Sequence, residues 1–317
     1  MLTEALFKQA NQSLPESILS QNISIKVADM QLGIIGLGKM GANMARRLCR
    51  HGISVTGFNR SANITQQLAT EEGLIASDSV EQLLASLSAP RIVWLMLPSG
   101  EATETMISQL QEQLSAGDIL VDGGNANYKD SVRRAAQLAS KDIRFCDSGT
   151  SGGVWGLENG YCLMVGGEKD TIHQLEPVLK ALAPSAEHGW AHVGPAGAGH
   201  FTKMIHNGIE YGMMQAMAEG FDLLRGKQEF ELDLAQIAEV WRHGSVVRSW
   251  LLDLTADFLK HDQSLKEIAP YVADSGEGRW TVQESVEQGI AAPVLSLALQ
   301  MRFASQNNEA YGNRILA

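Results

Sequence analysis

The chain has 317 residues, a formal net charge of −11 and a hydrophobic fraction of 44%. A chain of this length has room for two domains with sizeable cores. Its acidic balance and its lack of any Lys/Arg run argue against nucleic acid as a partner, and no apolar run reaches the ~18 residues of a membrane span.

The three cysteines are scattered and show no CxxC spacing, which favours a reducing cytoplasm as the location and predicts no metal site. The first 29 residues are polar and mixed in character. They lack the apolar core of a secretory signal, so we expect a weakly ordered N-terminal extension at 1–29.

Short apolar runs alternate with helical patterns between residues 30 and 195. Strands are predicted at 31–35, 53–58, 91–97 and 118–121, and further strands near 143–147 and 161–165. Such alternation is typical of βαβ units and of a mostly parallel sheet. We therefore predict an α/β dinucleotide-binding domain of the Rossmann type over residues 30–195.

The character of the chain changes after about Pro195, where strand signals stop. One long helix is predicted over 197–224, and the remainder of the chain is predicted to be helical. Residues 196–317 are therefore expected to form an all-α domain for substrate binding and oligomerisation. Ligand sites favour boundaries between domains, so the long helix is the first place to search for one.

The first predicted strand leads into a glycine turn that we expect to bind a nicotinamide dinucleotide: Gly36, Leu37, Gly38, Lys39, Met40 and Gly41. The pattern is weak by itself, but here a strand precedes it and a helix follows it. Gly36 permits the tight turn, Gly38 lets the backbone approach the pyrophosphate, and Gly41 lets the helix pack closely. The N-terminus of the helix then stabilises the anion.

The end of the second strand indicates which dinucleotide is bound. A site that prefers NAD places Asp or Glu there to accept a hydrogen bond from the ribose 2′-hydroxyl. This chain has Asn59, Arg60 and Ser61 instead, so no carboxylate repels a 2′-phosphate and Arg60 can pair with one. We expect NADP, with NAD as the alternative; Arg60 as an ordinary surface residue is the competing interpretation.

The predicted long helix carries four polar residues at a spacing that places them on one face: Lys203, His206, Asn207 and Glu210. An ordinary solvated face is the simplest interpretation. However, Met, Ile, Phe and Gly surround this stripe, which predicts a buried helix. A buried polar stripe costs several kcal/mol unless it is paired or serves a site.

These residues carry a resemblance to a known family. The run Lys203–Tyr211, together with Asp122–Asn125 and Ser151–Gly153, resembles decarboxylating 6-phosphogluconate dehydrogenase, within the β-hydroxyacid dehydrogenase superfamily. The resemblance covers nearly everything from Met30 onward. Its helix motif is specific, whereas the two glycine motifs are shared across the superfamily.

The resemblance implies that Lys203 is the general base, removing the C3 hydroxyl proton of 6-phosphogluconate while hydride leaves C3 for the nicotinamide. The β-keto acid then loses CO2 while protonated Lys203 polarises the C3 carbonyl, and Glu210 protonates C1 of the enediol to give ribulose 5-phosphate. A positioned ammonium can stabilise the developing enolate oxygen, so no metal is needed. Since Lys203 must lose its proton near neutral pH, we expect burial to lower its pKa.

The resemblance also implies binding residues. The substrate carboxylate and hydroxyls would be held by Asn125, Ser151, Gly152, Gly153, His206 and Asn207. The phosphate would be held by Tyr211, Arg279 and Arg302. The nicotinamide ribose would pass Leu97, Pro98 and Ser99, and Asn125 would also face the cofactor. Arg279 and Pro98 stand where family members often have Lys, and the first change keeps the charge.

Longer members of the family extend beyond the length of this chain, and their tail brings an Arg and a His into a neighbouring subunit's site. This chain stops at Ala317. It therefore resembles the short form of the family, and we expect a homo-oligomer, either a tetramer or a dimer.

Two other functions remain open from the sequence. A non-decarboxylating β-hydroxyacid dehydrogenase, of the 3-hydroxyisobutyrate or tartronate-semialdehyde type, would share the glycine turn and Lys203 but would not need Glu210. A non-enzymatic NADP-binding protein would need neither of the proton-transfer groups. Trp241, Trp250 and Trp280 lie in apolar helical patterns and are expected in the core.

Overall fold

The computed structural model describes residues 30–307 and 311–316, so the predicted extension at 1–29 lies outside the described residues. The first part of the chain forms one eight-stranded sheet. Its strands are β1 (Gln31–Ile35), β2 (Ser54–Phe58), β3 (Ile75–Ala76), β4 (Ile92–Leu95), β5 (Ile119–Asp122), β6 (Arg144–Ser151), β7 (Cys162–Gly167) and β8 (Trp190–Gly194).

Helices connect these strands and then make up most of the remaining chain. Those between strands are α1 (Lys39–Arg50), α2 (Ala62–Glu72), α3 (Val80–Ala85), α4 (Glu101–Gln111), α5 (Tyr128–Ala139), α6 (Gly156–Asn159) and α7 (Lys169–Leu182). Those after the sheet are α8 (Ala198–Gly226), α9 (Leu234–Arg242), α10 (Trp250–Leu259), α11 (Glu277–Glu287), α12 (Pro293–Gln306) and α13 (Tyr311–Leu316).

The sheet has the order β3-β2-β1-β4-β5-β6-β7-β8. The strands from β3 to β6 are parallel, β7 is antiparallel to β6, and β8 is parallel to β7. The chain leaves β1 towards β2 on one side and returns to β4 on the other. This reversal opens a crevice at the carboxyl ends of β1 and β4, where α/β sheets of this kind bind ligands.

The central strands β1, β4 and β5 are buried on both faces, which explains why they are mainly apolar runs. Successive side chains point to opposite faces: Ile34 and Trp94 belong to one hydrophobic cluster, while Ile35 and Leu95 belong to the other. The prediction of an α/β Rossmann-type part followed by a helical part is therefore confirmed. The two domain boundaries stay predictions.

The long helix α8 packs unusually closely on the sheet. A Cβ at Gly149 of β6 would lie 2.4 Å from the Cβ of Lys203, and one at Gly199 would lie 2.5 Å from the carbonyl oxygens of Asp147 and Met164. The Asp147 carboxylate also accepts hydrogen bonds from the backbone N–H groups of Gly197 and His200, at 2.6 and 2.7 Å. This contact holds Lys203 against the edge of β6.

Several expectations were wrong in detail. β3 and β8 were not predicted, because β3 has two residues and β8 is a half-exposed strand without an apolar run. Residues 260–276 contain no helix, although the whole second part was expected to be helical. This segment lies beside α12 instead, where Ser305 accepts from the Val272 N–H at 3.0 Å and Arg302 donates to the Ala273 carbonyl at 2.8 Å.

The prediction that α8 is buried holds only for its first half. Lys203, Met204 and Tyr211 are buried, whereas Met213 and Leu223 are 39% and 77% exposed. Within the described residues, no helix combines the length and the apolar character needed to cross a membrane.

Candidate active site

The glycine turn between β1 and α1 has the geometry that a dinucleotide requires. Gly36 has a φ of +98°, and a Cβ there would lie 2.5 Å from the Met96 carbonyl oxygen. A Cβ at Gly41 would lie 2.0 Å from the Gly36 carbonyl oxygen. A Cβ at Gly38 would meet nothing within 4 Å, so the space above this residue is open to a pyrophosphate.

Helix α1 begins at Lys39, directly after Gly38, and no side chain caps its first turn in the described part of the chain. Its N-terminal N–H groups are therefore available as donors to an anion, and the helix dipole favours negative charge there. The residues present thus fit the pyrophosphate of a nicotinamide dinucleotide. Met40, in the same turn, also lines the cavity described below.

Of the three residues after β2, Asn59 supports the glycine turn, whereas Arg60 and Ser61 lie at the surface. The Asn59 side chain accepts a hydrogen bond from the Leu37 N–H at 3.0 Å and donates to the Ser61 carbonyl at 3.2 Å, so it braces the glycine turn. Arg60 and Ser61 are exposed. Arg60 forms no hydrogen bond or ion pair with the described residues, which leaves its guanidinium available to a ligand.

The segment after β4 lies on the other side of the crevice. Leu97 contacts the glycine turn, because a Cβ at Gly36 would lie 2.9 Å from its side chain. The Pro98 carbonyl accepts a hydrogen bond from the Thr103 hydroxyl at 2.8 Å, and both Pro98 and Ser99 are exposed. This segment therefore borders the glycine turn, and its contact with the cofactor ribose stays a prediction.

The polar stripe of α8 forms one hydrogen-bonded group. The Lys203 ammonium nitrogen lies 2.6 Å from Asn207 Oδ1 and 3.4 Å from His206 Nδ1. His206 Nδ1 in turn lies 3.0 Å from Asn207 Oδ1 and 3.8 Å from a Glu210 carboxylate oxygen. The helical spacing thus brings together the four residues that the sequence predicted to share a face.

The charge of Lys203 is controlled by its surroundings. The side chain is only 5% exposed, and burial lowers its pKa below the ordinary lysine value. Glu277, Glu210 and Cys162 act in the opposite direction, because negative charge nearby favours the ammonium form. The predicted direction of the pKa shift at Lys203 is therefore the one that its environment produces.

A cavity of about 870 Å³ lies between the sheet and α8. Nine of the predicted site residues line it: Met40, Asn125, Ser151, Gly152, Gly153, Lys203, His206, Asn207 and Glu210. Asn125 is held at its mouth by paired hydrogen bonds with the Thr150 backbone, at 2.9 and 3.0 Å. One wall of the cavity therefore comes from the glycine turn and the strand ends, and the facing wall comes from α8.

Two tryptophans that the sequence analysis missed complete the cavity. Trp155 and Trp250 both line it, and their rings meet edge to face with centroids 5.4 Å apart. The expectation that Trp250 belongs to the core is wrong, because this residue starts α10 and is 45% exposed. The position of Trp155 two residues after the Ser151–Gly153 motif was the available signal.

The three residues predicted to hold phosphate lie together, but they do not line this cavity in the described structure. Tyr211 Oη lies 3.2 Å from Asp274 Oδ1, and the Arg279 guanidinium forms a short ion pair with the same carboxylate. The Arg302 guanidinium lies 3.5 Å from the centroid of the Tyr211 ring. Asp274 is therefore the present partner of two of the three.

No group of three His, Cys, Asp or Glu side chains in the described residues is placed to hold a metal ion. The chemistry available in the cavity is that of an amine of lowered pKa, an imidazole, an amide and a carboxylate. Such groups can move protons to and from a substrate held between them.

The fold and the cavity define a class of protein: a Rossmann-type dinucleotide-binding protein in which a helix after the sheet brings a buried lysine to a cavity. Residues 31–193 match the model of the NAD binding domain of 6-phosphogluconate dehydrogenase. Residues 199–314 match the model of the C-terminal domain of 6-phosphogluconate dehydrogenase. The chain belongs to the 6-phosphogluconate dehydrogenase family.

Individual relatives agree with this assignment. The NAD(+)-dependent, decarboxylating 6-phosphogluconate dehydrogenase of Haloferax volcanii is 39% identical, over 90% of this chain and 94% of the relative. The NADP(+)-dependent, decarboxylating enzyme of Bacillus subtilis is 36% identical, over 89% of this chain but 63% of the relative. The solved Plasmodium falciparum 6-phosphogluconate dehydrogenase has a TM-score of 0.80 at 31% identity, over 87% of this chain and 62% of that chain.

Proposed function

We propose that this protein oxidises and decarboxylates 6-phosphogluconate to ribulose 5-phosphate and CO2, with reduction of NADP. The observation that carries the proposal is the placement of Lys203 and Glu210 in one cavity with Met40 of the glycine turn and Asn125. A substrate in this cavity contacts the amine on one side and the cofactor site on the other. The nicotinamide, when bound, accepts the hydride from C3.

Lys203 begins the reaction in its neutral form, which burial favours. It takes the proton of the C3 hydroxyl as the hydride leaves, and becomes an ammonium in a region of low polarity. This ammonium polarises the new C3 carbonyl and stabilises the enolate oxygen that develops as CO2 leaves. Asn207, whose Oδ1 lies 2.6 Å from the Lys203 nitrogen, keeps the amine oriented throughout.

Lys203 gives its proton to the enolate oxygen, which makes the enediol. Glu210 then completes the reaction by protonating C1 of the enediol, while Lys203 takes the hydroxyl proton back and the ketone forms. Glu210 lies one helical turn beyond His206, and both line the cavity. Its side chain is 37% exposed, so it can regain a proton from solvent after each turnover. His206 and Asn207, with Ser151 and the glycines after it, hold the carboxylate and hydroxyls of the substrate.

The phosphate group of the substrate is assigned to Tyr211, Arg279 and Arg302. Their two guanidinium groups suit a dianion, since Arg offers bidentate donors. Arg279 now pairs with Asp274, which is negatively charged like phosphate. Phosphate binding therefore requires Arg279 to leave Asp274 and pair with the phosphate instead. For the cofactor, the free Arg60 and the absence of a carboxylate after β2 support NADP over NAD.

The test of the proposal is an assay with 6-phosphogluconate and either NADP or NAD, in which reduced cofactor and released CO2 are measured together. We expect equal amounts of both products. Reduction without CO2 would indicate a non-decarboxylating β-hydroxyacid dehydrogenase instead. No reduction with either cofactor would contradict the proposal.

The variant Lys203→Met separates catalysis from binding. It removes the base but leaves the glycine turn intact, so we expect NADP binding to persist and turnover to fall by at least about 10³-fold. Cofactor binding is measured by fluorescence titration and turnover by the same assay. Turnover close to that of the unmodified protein would remove Lys203 from the mechanism.

A further inference from the structure

Glu277 is a buried carboxyl for which the proposed reaction has so far no use. It is the first residue of α11 and is 7% exposed. Its Oε2 atom has no hydrogen-bond partner among the described residues. Buried polar atoms are normally paired, so an unpaired carboxylate oxygen needs an explanation.

The packing of α11 on α8 brings the start of α11 close to the turn of α8 that carries Lys203. The Thr281 hydroxyl lies 2.8 Å from the Met204 carbonyl oxygen and 2.9 Å from the Glu277 carbonyl oxygen, so it joins the first turn of α11 to α8. Gly208 allows this approach, because a Cβ there would lie 2.6 Å from the Thr281 side chain. Glu277 therefore shares a low-polarity region with Lys203.

The titratable groups around Lys203 come from three elements. Its own helix contributes His206 and Glu210, β7 contributes Cys162, and α11 contributes Glu277. Burial raises the pKa of Glu277 to about 7, with Lys203 opposing the rise and Glu210 adding to it. The Lys203 ammonium lowers the pKa of Glu277, and the Glu277 carboxylate raises that of Lys203.

Glu284, on the same helix, is a buried carboxylate with a structural role and can be compared with Glu277. Glu284 is 8% exposed, but Tyr128 donates to it at 2.7 Å and Gln288 donates to it at 2.7 Å. Both of its oxygens are thus occupied by neutral donors. Glu277 differs from Glu284 in two ways. One of its oxygens has no hydrogen-bond partner among the described residues, and its carboxyl interacts electrostatically with the Lys203 amine.

We propose that Glu277 is a positioning residue for the proposed reaction, and that its carboxyl supplies the counter-charge against which Lys203 gains and loses its proton. The inference rests on the proposed function, because Lys203 alternates between amine and ammonium only if it is the base. An isolated ammonium is costly in a buried site, and a nearby carboxylate reduces that cost. Glu277 thereby keeps Lys203 basic enough to accept the hydroxyl proton.

The test compares Glu277→Gln with Glu284→Gln, which removes a similarly buried carboxylate from the same helix. Lys203 is titrated by NMR in protein with labelled lysine side chains, its signal being identified by its loss in Lys203→Met. Removal of the negative charge lowers the pKa of Lys203, so we expect its titration in Glu277→Gln to move about one pH unit lower. The acid limb of the kcat/KM profile moves in the same direction, while Glu284→Gln leaves both unchanged.

Different results would contradict the role of Glu277 and the proposed function. An unchanged Lys203 titration in folded Glu277→Gln overturns the role of Glu277, whatever the activity. An unmodified protein without turnover contradicts the proposed function instead. Folding is checked by thermal unfolding; should Glu277→Gln fail to fold, Glu277→Met, an uncharged side chain of similar length, replaces it with the same expected shift. Glu277→Asp keeps the negative charge, so Lys203 in this variant must titrate as it does in the unmodified protein.

Discussion

At the scale of single residues, the site depends on which side chains have partners and which do not. Asn59 was predicted to face the cofactor, but in the structure its amide braces the glycine turn through the Leu37 N–H. Arg60 next to it has no partner in the described part of the chain. The sequence predicted both residues as cofactor ligands. The supporting role of Asn59 depends on a contact across 22 positions of the chain, and the contact of Arg60 with a cofactor stays a prediction.

Arg60→Ala is expected to weaken NADP binding and to leave NAD binding nearly unchanged, since only NADP carries a 2′-phosphate for the guanidinium. A charge-assisted contact of this kind corresponds to about a tenfold change in Kd or more, or ~1.4 kcal/mol. The Kd values for both cofactors are measured by fluorescence titration. Arg50→Ala is the control, because Arg50 already pairs with Glu72. Equal weakening of both cofactors would refute the assignment.

At the scale of elements, α8 connects the fold to the chemistry. The sequence predicted its apolar periodicity and its polar stripe. The helix observed over Ala198–Gly226 agrees with the one predicted. The sequence did not predict how closely α8 packs on the sheet, because this packing depends on the contact of Gly149 in β6 with Gly199. A glycine in a helix pattern indicates low helix propensity, and only the packed structure shows which glycine is required.

Gly199→Ala and Gly220→Ala test this distinction within one helix. A Cβ at Gly199 meets two carbonyl oxygens at 2.5 Å, whereas a Cβ at Gly220 meets nothing within 4 Å. We expect Gly199→Ala to lower the free energy of unfolding by ~1–3 kcal/mol or more, and to reduce turnover because Lys203 moves with the helix. Gly220→Ala should raise the free energy of unfolding by up to ~1 kcal/mol. Thermal unfolding measures both, and equal stabilities would contradict the close packing.

At the scale of the whole molecule, the helical part has a large apolar surface. Exposed side chains on three neighbouring helices include Leu223 on α8, Val286 on α11, and Val294 and Leu297 on α12, with exposures of 58% to 77%. Clustered apolar side chains that remain exposed mark interaction sites, and these residues are candidates for one. Such a site is consistent with the predicted homo-oligomer, which stays a prediction.

Sedimentation analysis is expected to show a dimer or a tetramer. Leu297→Glu should shift the distribution towards smaller species, because an unpaired carboxylate is costly to bury at an interface. Ile75→Glu, on the far edge strand β3 and 48% exposed, is the matched control and should leave the distribution unchanged. A monomer in the unmodified protein at all concentrations would refute the prediction.

The sequence by itself determined what depends on local periodicity and short-range spacing. The glycine turn after β1, the buried strands and the four-residue stripe of α8 all follow from patterns within about ten residues of chain. The tertiary structure decided what depends on contacts between distant segments: the approach of α8 to β6, the opposed Trp155 and Trp250, the ion pair of Arg279 with Asp274, and Glu277 near Lys203. The physical reason is that burial and charge at a side chain are produced by its neighbours in space, and these neighbours come from parts of the chain that no local pattern relates.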